Sequence, residues 1–406
     1  MTAPHNARRI AIVGGGPAGL VAALAARRAG FICTVYEQAP SFERVGGAVG
    51  IASNGLQVLD VLGLLDRFRP RVQLVQHARL EAPPGRVVSW ADFRDVRIPN
   101  PDLAVALRYD LHEMLADCAR DAGVAIRFDA RCTAAQWQPH GVRLQFADGS
   151  DVESPLVFAC DGINSVVRNA LGFKSKKKTI GEAYLRIVAP IAHPMPECVG
   201  EFWARDGRRA GAFPLPGQRT YVFCSVPIGR WQEILERRLG AWVKSWEDFG
   251  EPISTLMRSM QDWNGAVYDE LSDLRVERWQ RNGVFLLGDA AHAMTPNLGQ
   301  GANSAMVDAL VLVNLLTEVA HQRAWREAGR RYEQLRRPFV TRIQNAALIG
   351  GRLASLKNPA ARALRDTALR MVMQLAPLQR SSLKLTAGYN PAEQPYLRSP
   401  VRVAGF

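Results

Sequence analysis

The hydrophobic pattern of this chain alternates between short all-apolar runs and longer stretches of helical period. Arg9-Ile10-Ala11-Ile12-Val13 is a brief apolar run of the kind that forms a strand buried on both faces of a parallel sheet. An Ala-rich helical stretch follows as far as Ala29, and Gly30 fits the position after a helix C-terminus where positive φ is needed. Phe31 to Tyr36 reads as a second strand. Leu156 to Cys160 and Val284 to Leu287 are two more runs of the buried type, and Thr220 to Cys224 reads as a strand further from the N-terminal pattern. Pro83-Pro84-Gly85 and Phe213-Pro214-Leu215-Pro216-Gly217 read as turns between strands. Ala309 to Ala320 is the longest strongly apolar helix candidate, but Asn314, Thr317 and Glu318 interrupt it. No run approaches the roughly 18 apolar residues of a membrane span.

At 406 residues the chain is expected to form two or three domains, since a domain averages about 150 residues. Hydrophobic residues at 48% and charged residues at 22% exclude global disorder. The formal charge of +13 comes from 51 basic and 38 acidic residues. Arg is spread along the chain with no nucleic-acid-binding module, so a nucleic-acid partner is not expected. The one tight basic cluster, Lys174-Ser175-Lys176-Lys177-Lys178, reads as a solvated loop. Six scattered cysteines without a Cys-x-x-Cys pair point to free thiols in a reducing compartment. An apolar stretch after Arg8-Arg9 superficially resembles an export signal, but cleavage there would delete the best motif in the chain, so a cytoplasmic location is expected. No cluster has metal-ligand spacing.

That motif is Gly14-Gly15-Gly16-Pro17-Ala18-Gly19, set between strand and helix. Gly14 permits the tight turn, Gly16 lets backbone approach a pyrophosphate, and Gly19 allows close helix–strand packing. Phosphates favour the free N–H groups and dipole of a helix N-terminus. Glu37 follows the second strand at a spacing suited to a ribose hydroxyl. This context implies an adenine dinucleotide without separating FAD from NAD. Two later segments repeat the pattern of strand, carboxylate and turn. One is Asp161-Gly162 after Leu156 to Cys160. The other is Gly288-Asp289 after Val284 to Leu287, leading through Pro296 to Asn297-Leu298-Gly299-Gln300-Gly301-Ala302-Asn303. An Asp at a strand end can accept hydrogen bonds from polyol hydroxyls, and a Gly-rich helix start can stabilise nearby negative charge.

With these three motifs in order, the chain from about residue 8 to 340 resembles the FAD-dependent aromatic hydroxylases of the para-hydroxybenzoate hydroxylase type, the group A flavin monooxygenases. The resemblance implies an α/β fold, with a Rossmann-like FAD-binding domain interleaved with a mostly β substrate domain and followed by C-terminal helices. Residues 1–72, 101–174 and 271–340 would form the first, 73–100 and 175–270 the second, and 341–406 the helical segment. It also implies cofactor roles. Gly14, Gly15, Gly16, Pro17, Ala18 and Gly19 would hold the pyrophosphate, and Glu37 with Gln38 the adenosine ribose. Arg44, Gly47, Ala48 and Arg108 would approach the flavin and its phosphates. Asp161 would serve both FAD and the nicotinamide cofactor, Asp289 the ribityl chain, and Cys132 or Thr133 the adenine through backbone. Pro296 would sit beside the flavin, with Gly299, Gln300, Gly301, Ala302 and Asn303 presenting a helix start to its pyrimidine edge. His292 reads as packing or turn geometry rather than catalysis.

The implied reaction is hydroxylation of an electron-rich phenolic or N-heteroaromatic ring, with NADH or NADPH as transient reductant, O2 as co-substrate and a flavin C4a-hydroperoxide as oxygen donor. The alternative is a related epoxidase or reductase acting on a larger isoprenoid or secondary metabolite. A single strong glycine fingerprint and no Cys pair argue against two-dinucleotide disulfide reductases. No catalytic base is identified. Phe202, Phe213 and Tyr221 are candidates for the substrate pocket, and equally for core. A monomer or homodimer without integral membrane association is expected. In the tail, Leu364, Ala368, Met371, Val372 and Leu375 share one helix face, with Arg362, Arg365 and Arg370 elsewhere. That face is expected to pack on the FAD domain, the alternative being a basic amphipathic helix at a membrane surface.

Overall fold

The run Arg9–Val13 lies near the centre of a six-stranded sheet, where its last four residues are buried. A computed structural model describes residues 9–42, 47–236, 238–319, 324–398 and 401. In this sheet the strands run in the order Gln280–Arg281, Val284–Leu286, Leu156–Ala159, Arg9–Val13, Ile32–Tyr36 and Ala125–Arg127. All neighbours are parallel except the first pair. The continuous apolar character of Leu156–Ala159 matches burial on both faces. Helix Pro17–Arg28 begins at N-cap Gly16 with Pro at its first turn, where a missing N–H costs nothing. Gly30 has the expected φ of +87°. Helix Gly301–Thr317 is buried throughout 303–316, so its all-round apolarity reflects a place inside the core.

A seven-stranded sheet forms the second layer, in the order Val267–Val276, Ser175–Ala189, Arg219–Pro227, Arg209–Leu215, Cys198–Trp203, His77–Ala82 and Arg86–Asp92. Its only parallel neighbours among the described residues are Cys198–Trp203 and His77–Ala82. One face is covered by a core that includes Trp242, Trp246, Phe249 and Met257 from the short helices of 239–258. Part of the opposite face, with Tyr184, Tyr221 and Phe223, packs on Val75 and Val105 of a small three-stranded sheet formed by Ala48–Ile51, Leu103–Leu107 and Gln73–Val75. The fold is thus α/β, with a Rossmann-type domain interleaved with a mostly β domain and closed by helices.

Three local expectations are corrected. The lysine cluster is not a loop: Ser175–Ala189 is a strand, with Lys176 opposite Arg275 and Lys178 opposite Asp273. Strand pairing uses only the backbone, so Lys176 to Lys178 keep their ammonium groups in water. Phe213 and Pro214 belong to a strand, and the turn falls later, where Gly217 and Gln218 take positive φ. In the tail, a helix Trp325–Ala354 runs through position 341, and the apolar face of Pro359–Gln374 does not pack on the FAD domain. Leu364 is 72% exposed and Met371 54%. The helix docks through Met373 and its polar side instead. Arg365 and Asp366 are buried, Asp366 pairs with Arg86 of the edge strand, and Arg365 stacks over Trp203.

A buried carboxylate ties these layers together. Asp308, on helix Gly301–Thr317, accepts from Gly288 N–H at 3.0 Å and from Arg336 Nε at 2.7 Å, and lies 2.5 Å from His292 Nε2. Arg336 also reaches Glu393 at 2.5 Å and the Ser304 carbonyl at 3.0 Å. Burial pushes the Asp308 carboxyl up, but His292 and Arg336 outweigh it and hold the group below its ordinary range. Removing one partner of a buried ion pair typically costs about 3–5 kcal/mol, because the other charge is stranded. Asp308→Ala should therefore lower unfolding free energy by about 3 kcal/mol, read as a drop in the urea midpoint. Its depressed pKa adds stability that is present above the unfolded carboxyl pKa and lost as pH falls through the folded one. The variant should accordingly lose part of the wild-type acid sensitivity.

Candidate active site

The glycine turn, the Asp289 turn and the aromatic sheet face all border one cavity of about 640 Å³. Gly14 takes φ +100° and donates its N–H to the Tyr36 carbonyl at 2.8 Å. A Cβ at Gly14 would lie 2.3 Å from the Cys160 carbonyl, and one at Gly19 would lie 2.0 Å from the Gly14 carbonyl. These two glycines are demanded by the fold itself. Gly16 differs: a Cβ there would meet nothing within 4 Å, and Gly16, Pro17 and Ala18 all line the cavity. The turn therefore presents helix N–H groups to open space, a shape and polarity suited to a pyrophosphate.

Glu37 accepts from Gly15 N–H at 2.7 Å and from Ala39 N–H at 2.9 Å, so its carboxylate braces the turn. Gln38 is exposed beside it, and Ala130 N–H bonds to the Glu37 carbonyl, bringing the segment that leads to Cys132 alongside. Cys132 is buried, and burial pushes its thiol up to about 11. Arg108 starts helix Arg108–Asp121, donates its N–H to the Gly47 carbonyl at 2.9 Å and lines the cavity together with Ala48 and Asp289. Arg44 lies outside the described residues. Burial raises the Asp289 carboxyl, with His292 and Arg108 opposing it. Burial also raises Asp161, whose Oδ2 accepts from Val167 N–H at 3.1 Å while its buried Oδ1 has no partner among the described residues. An open glycine cradle, a carboxylate at the cavity and a second carboxylate with an unused oxygen fit a polyhydroxylated dinucleotide.

Pro296, Gly299, Gly301 and Ala302 line the cavity, and a Cβ on either glycine would meet nothing. Gln300 and Asn303 act differently, because their side chains are fully buried. Gln300 accepts from Asn54 at 3.0 Å and donates to the Thr386 carbonyl at 2.7 Å. Asn303 accepts from Ala52 N–H at 3.0 Å and donates to the Gly50 and Gly299 carbonyls at 2.8 Å each. They fix the helix start against the neighbouring strand. His292 is buried on Asp308, in keeping with a packing role.

The far wall is the face of the seven-stranded sheet turned away from the tryptophan-rich core. Alternation puts Val199, Glu201 and Trp203 on that face, and register places Gly211 opposite Glu201, Tyr221 opposite Phe213 and Arg186 opposite Phe223. Phe213 and Tyr221 line the cavity. Phe202 does not: it points to the other face, is 1% exposed and packs in the core beneath the sheet. Its neighbours in sequence, Glu201 and Trp203, are the cavity residues, a consequence of the two-residue strand period.

Sequence reasoning missed Glu201, Trp203, Tyr184, Arg186 and Phe223, although a lone Glu in the apolar run Cys198–Trp203 was a usable signal. Trp203 Nε1 donates to Glu201 at 2.9 Å, and no cation pairs with this carboxyl among the described residues. Burial pushes Glu201 up to about 7, with the Trp203 bond opposing and the nearby Glu182 charge adding to it. Arg186, by contrast, is paired with Asp269 at 2.7 Å. Tyr184 stacks on Phe223 at 4.6 Å and donates to Asn297 Oδ1 at 2.8 Å, where Arg209 also bonds. Asn297 in turn donates to the Ala347 carbonyl at 2.8 Å, so the segment beside Pro296 is clamped from both sides.

A Rossmann-type glycine turn and an Asp289 cradle joined by one cavity to an aromatic sheet face define a flavin-dependent oxidoreductase. Residues 8–347 match the family described as FAD binding domain. A 3-amino-4-hydroxybenzoate 2-monooxygenase of Streptomyces cremeus is 33% identical over 84% of this chain and 86% of its own length. A 6-hydroxynicotinate 3-monooxygenase of Bordetella bronchiseptica is 28% identical over 86% and 93%. A 2-methyl-3-hydroxypyridine-5-carboxylic acid oxygenase, solved in a tetrameric form, superimposes with a TM-score of 0.75 at 28% identity over 90% of this chain and 98% of that one. The chain belongs to the FAD-dependent aromatic hydroxylase family. It is an FAD-dependent monooxygenase that uses NAD(P)H and O2 to hydroxylate an aromatic ring, and the epoxidase or reductase alternative is not the one its relatives support. Among the described residues no helix is long and apolar enough to cross a membrane.

The glycine geometry separates folding from cofactor binding. Gly19→Ala forces a Cβ onto the Gly14 carbonyl and should destabilise the FAD-free protein by roughly 1–3 kcal/mol. Gly16→Ala should leave the urea midpoint of the FAD-free protein in place yet weaken FAD retention at least about tenfold, close to 1.4 kcal/mol. Flavin fluorescence titration against urea curves checks both. Glu201 adds a pH signature. Its raised pKa means folding favours the protonated form, so the contribution is full below about 4.5 and lost as pH rises through about 7. Glu201→Gln should flatten the urea midpoint against pH across that window.

Proposed function

We propose that the substrate is a compact hydroxylated aromatic or N-heteroaromatic ring carrying an O–H or N–H donor, and that Glu201 receives this donor. The observation that carries the reading is a half-buried carboxyl with no cation paired to it among the described residues, set with Trp203, Phe213, Tyr221 and Phe223 on the wall of the cavity that Pro296 also lines. Near neutral pH such a group exchanges a proton readily, so it can accept a hydrogen bond from a phenol, amine or ring N–H. The names of the relatives, an aminohydroxybenzoate and a hydroxynicotinate monooxygenase, support this class.

In this reading Gly14 to Gly19 and Glu37 hold the dinucleotide end of FAD, Arg108 and Asp289 its phosphate and ribityl groups, and Pro296 to Ala302 the flavin edge, while Asp161 serves both FAD and the nicotinamide cofactor. Segments 1–72, 101–174 and 271–340 carry the cofactor, and 73–100 with 175–270 carry the substrate. Bound there, FAD supplies the redox and oxygen chemistry, and the protein supplies orientation and electrostatics. Phe213, Tyr221 and Phe223 exclude water and stack on the ring face. Tyr184 and Arg209 hold Asn297, and through it Pro296, against the substrate sheet. Six free cysteines suit work in the reducing cytoplasm.

NAD(P)H oxidation by the purified, FAD-loaded protein, followed with a panel of phenolic, aminophenolic and hydroxypyridine acids while peroxide is assayed, tests this. One compound should accelerate oxidation at least about tenfold without matching peroxide release, and Glu201→Gln should raise its KM more than it lowers kcat. A panel in which none accelerates oxidation overturns the compact-ring assignment.

A further inference from the structure

The tail carries an amphipathic surface turned the wrong way for a core helix. Helices Pro359–Gln374 and Ala376–Thr386 form a hairpin whose inner side contributes Met373, Leu383 and Thr386 to the cavity wall. Its outer side exposes Leu364, Met371, Leu375 and Leu378, at 72%, 54%, 50% and 47% of their full surface. Single exposed apolar side chains are ordinary, but here Leu364 and Met371 share a face of the first helix and Leu375 and Leu378 follow at once where the second begins. The adjoining edge strand Arg86–Asp92, tied to this hairpin by Arg86 and Asp366, exposes Val87 and Trp90 as well.

Charge decides what covers this face. Between 342 and 384 the exposed charged side chains are Arg342, Arg352, Lys357, Arg370, Arg380 and Lys384, and the one acidic residue, Asp366, is buried. The outside carboxylate that bonds the second helix, Asp95, accepts from Gln379 and is flanked by the exposed Arg94 and Arg97. A second copy related by a twofold axis would bring arginines of the stretch against each other with no exposed carboxylate of the stretch to meet them. A surface both anionic and able to take apolar side chains satisfies both features, with long Arg and Lys side chains reaching headgroups while Leu and Met enter the acyl boundary. Tryptophan at the same margin is the side chain favoured at such interfaces.

We propose that the outer face of this hairpin is a peripheral docking surface for an anionic phospholipid bilayer. The FAD-loaded full chain is sedimented with vesicles of phosphatidylcholine alone or mixed equally with phosphatidylglycerol. Binding is expected to the mixed vesicles only, and to weaken with added salt. The triple variant Leu364→Ser, Met371→Ser, Leu375→Ser should bind at least about tenfold less, with flavin absorbance and urea midpoint unchanged. The pair Arg370→Glu, Arg380→Glu should lose binding likewise. The proposal is overturned if mixed vesicles are not bound, if the triple variant binds like the parent, or if light scattering shows a dimer that the triple variant abolishes. None of these readouts uses turnover, so they stand apart from the substrate assignment.

Discussion

Everything that shapes the cofactor side of this molecule leans on one carboxylate that water does not reach. Asp308 receives the Gly288 N–H, the His292 ring and the Arg336 guanidinium, and Arg336 passes the connection to Glu393 near the end of the described chain. An isolated buried charge would be too costly, so the four groups hold only as a set. Their common effect is to lock the turn that carries Asp289 against helix Gly301–Thr317. Packing there is tight, since a Cβ on Gly288 would come within 2.8 Å of the Ala305 Cβ. The position of a cavity carboxylate is therefore set by a network that itself stays out of the cavity.

Asn297 plays the corresponding part between the seven-stranded sheet and the long helix. Tyr184 and Arg209 reach it from that sheet, and Ala347 accepts from it on helix Trp325–Ala354. Arg209 is buried, lies 3.4 Å from Glu182 and stands over the Tyr184 ring at 5.0 Å, so its charge is compensated on several sides. A segment clamped in this way keeps Pro296 in a set relation to the aromatic wall, which is the geometric demand of a reaction that joins a cofactor to a ring.

Legibility in the sequence followed the range of the interaction involved. The glycine turn was readable because each glycine answers a local steric demand: Gly14 a positive φ, Gly19 a contact five residues away. The buried strands were readable because burial on both faces leaves an unbroken apolar run. For Phe202 pocket and core stay open in the sequence because one residue of register turns a side chain to the opposite face, and only the pairing of Glu201 with Gly211 decides which face meets the cavity. The tail helix was read correctly as amphipathic, but its partner was not, since Arg86 and Trp203 were there to receive its polar side.

The sequence by itself determined the dinucleotide turn, the two carboxylate turns and the family, because these rest on backbone sterics and on residues close together along the chain. Only the tertiary structure decided that Glu201 stands on the pocket wall with Trp203 and without a cation among the described residues, that Gln300 and Asn303 brace rather than face the cavity, and that the tail turns its leucines outward. Each of these depends on which distant side chain supplies the opposing charge, hydrogen bond or surface. Chain order does not carry that information; packing does.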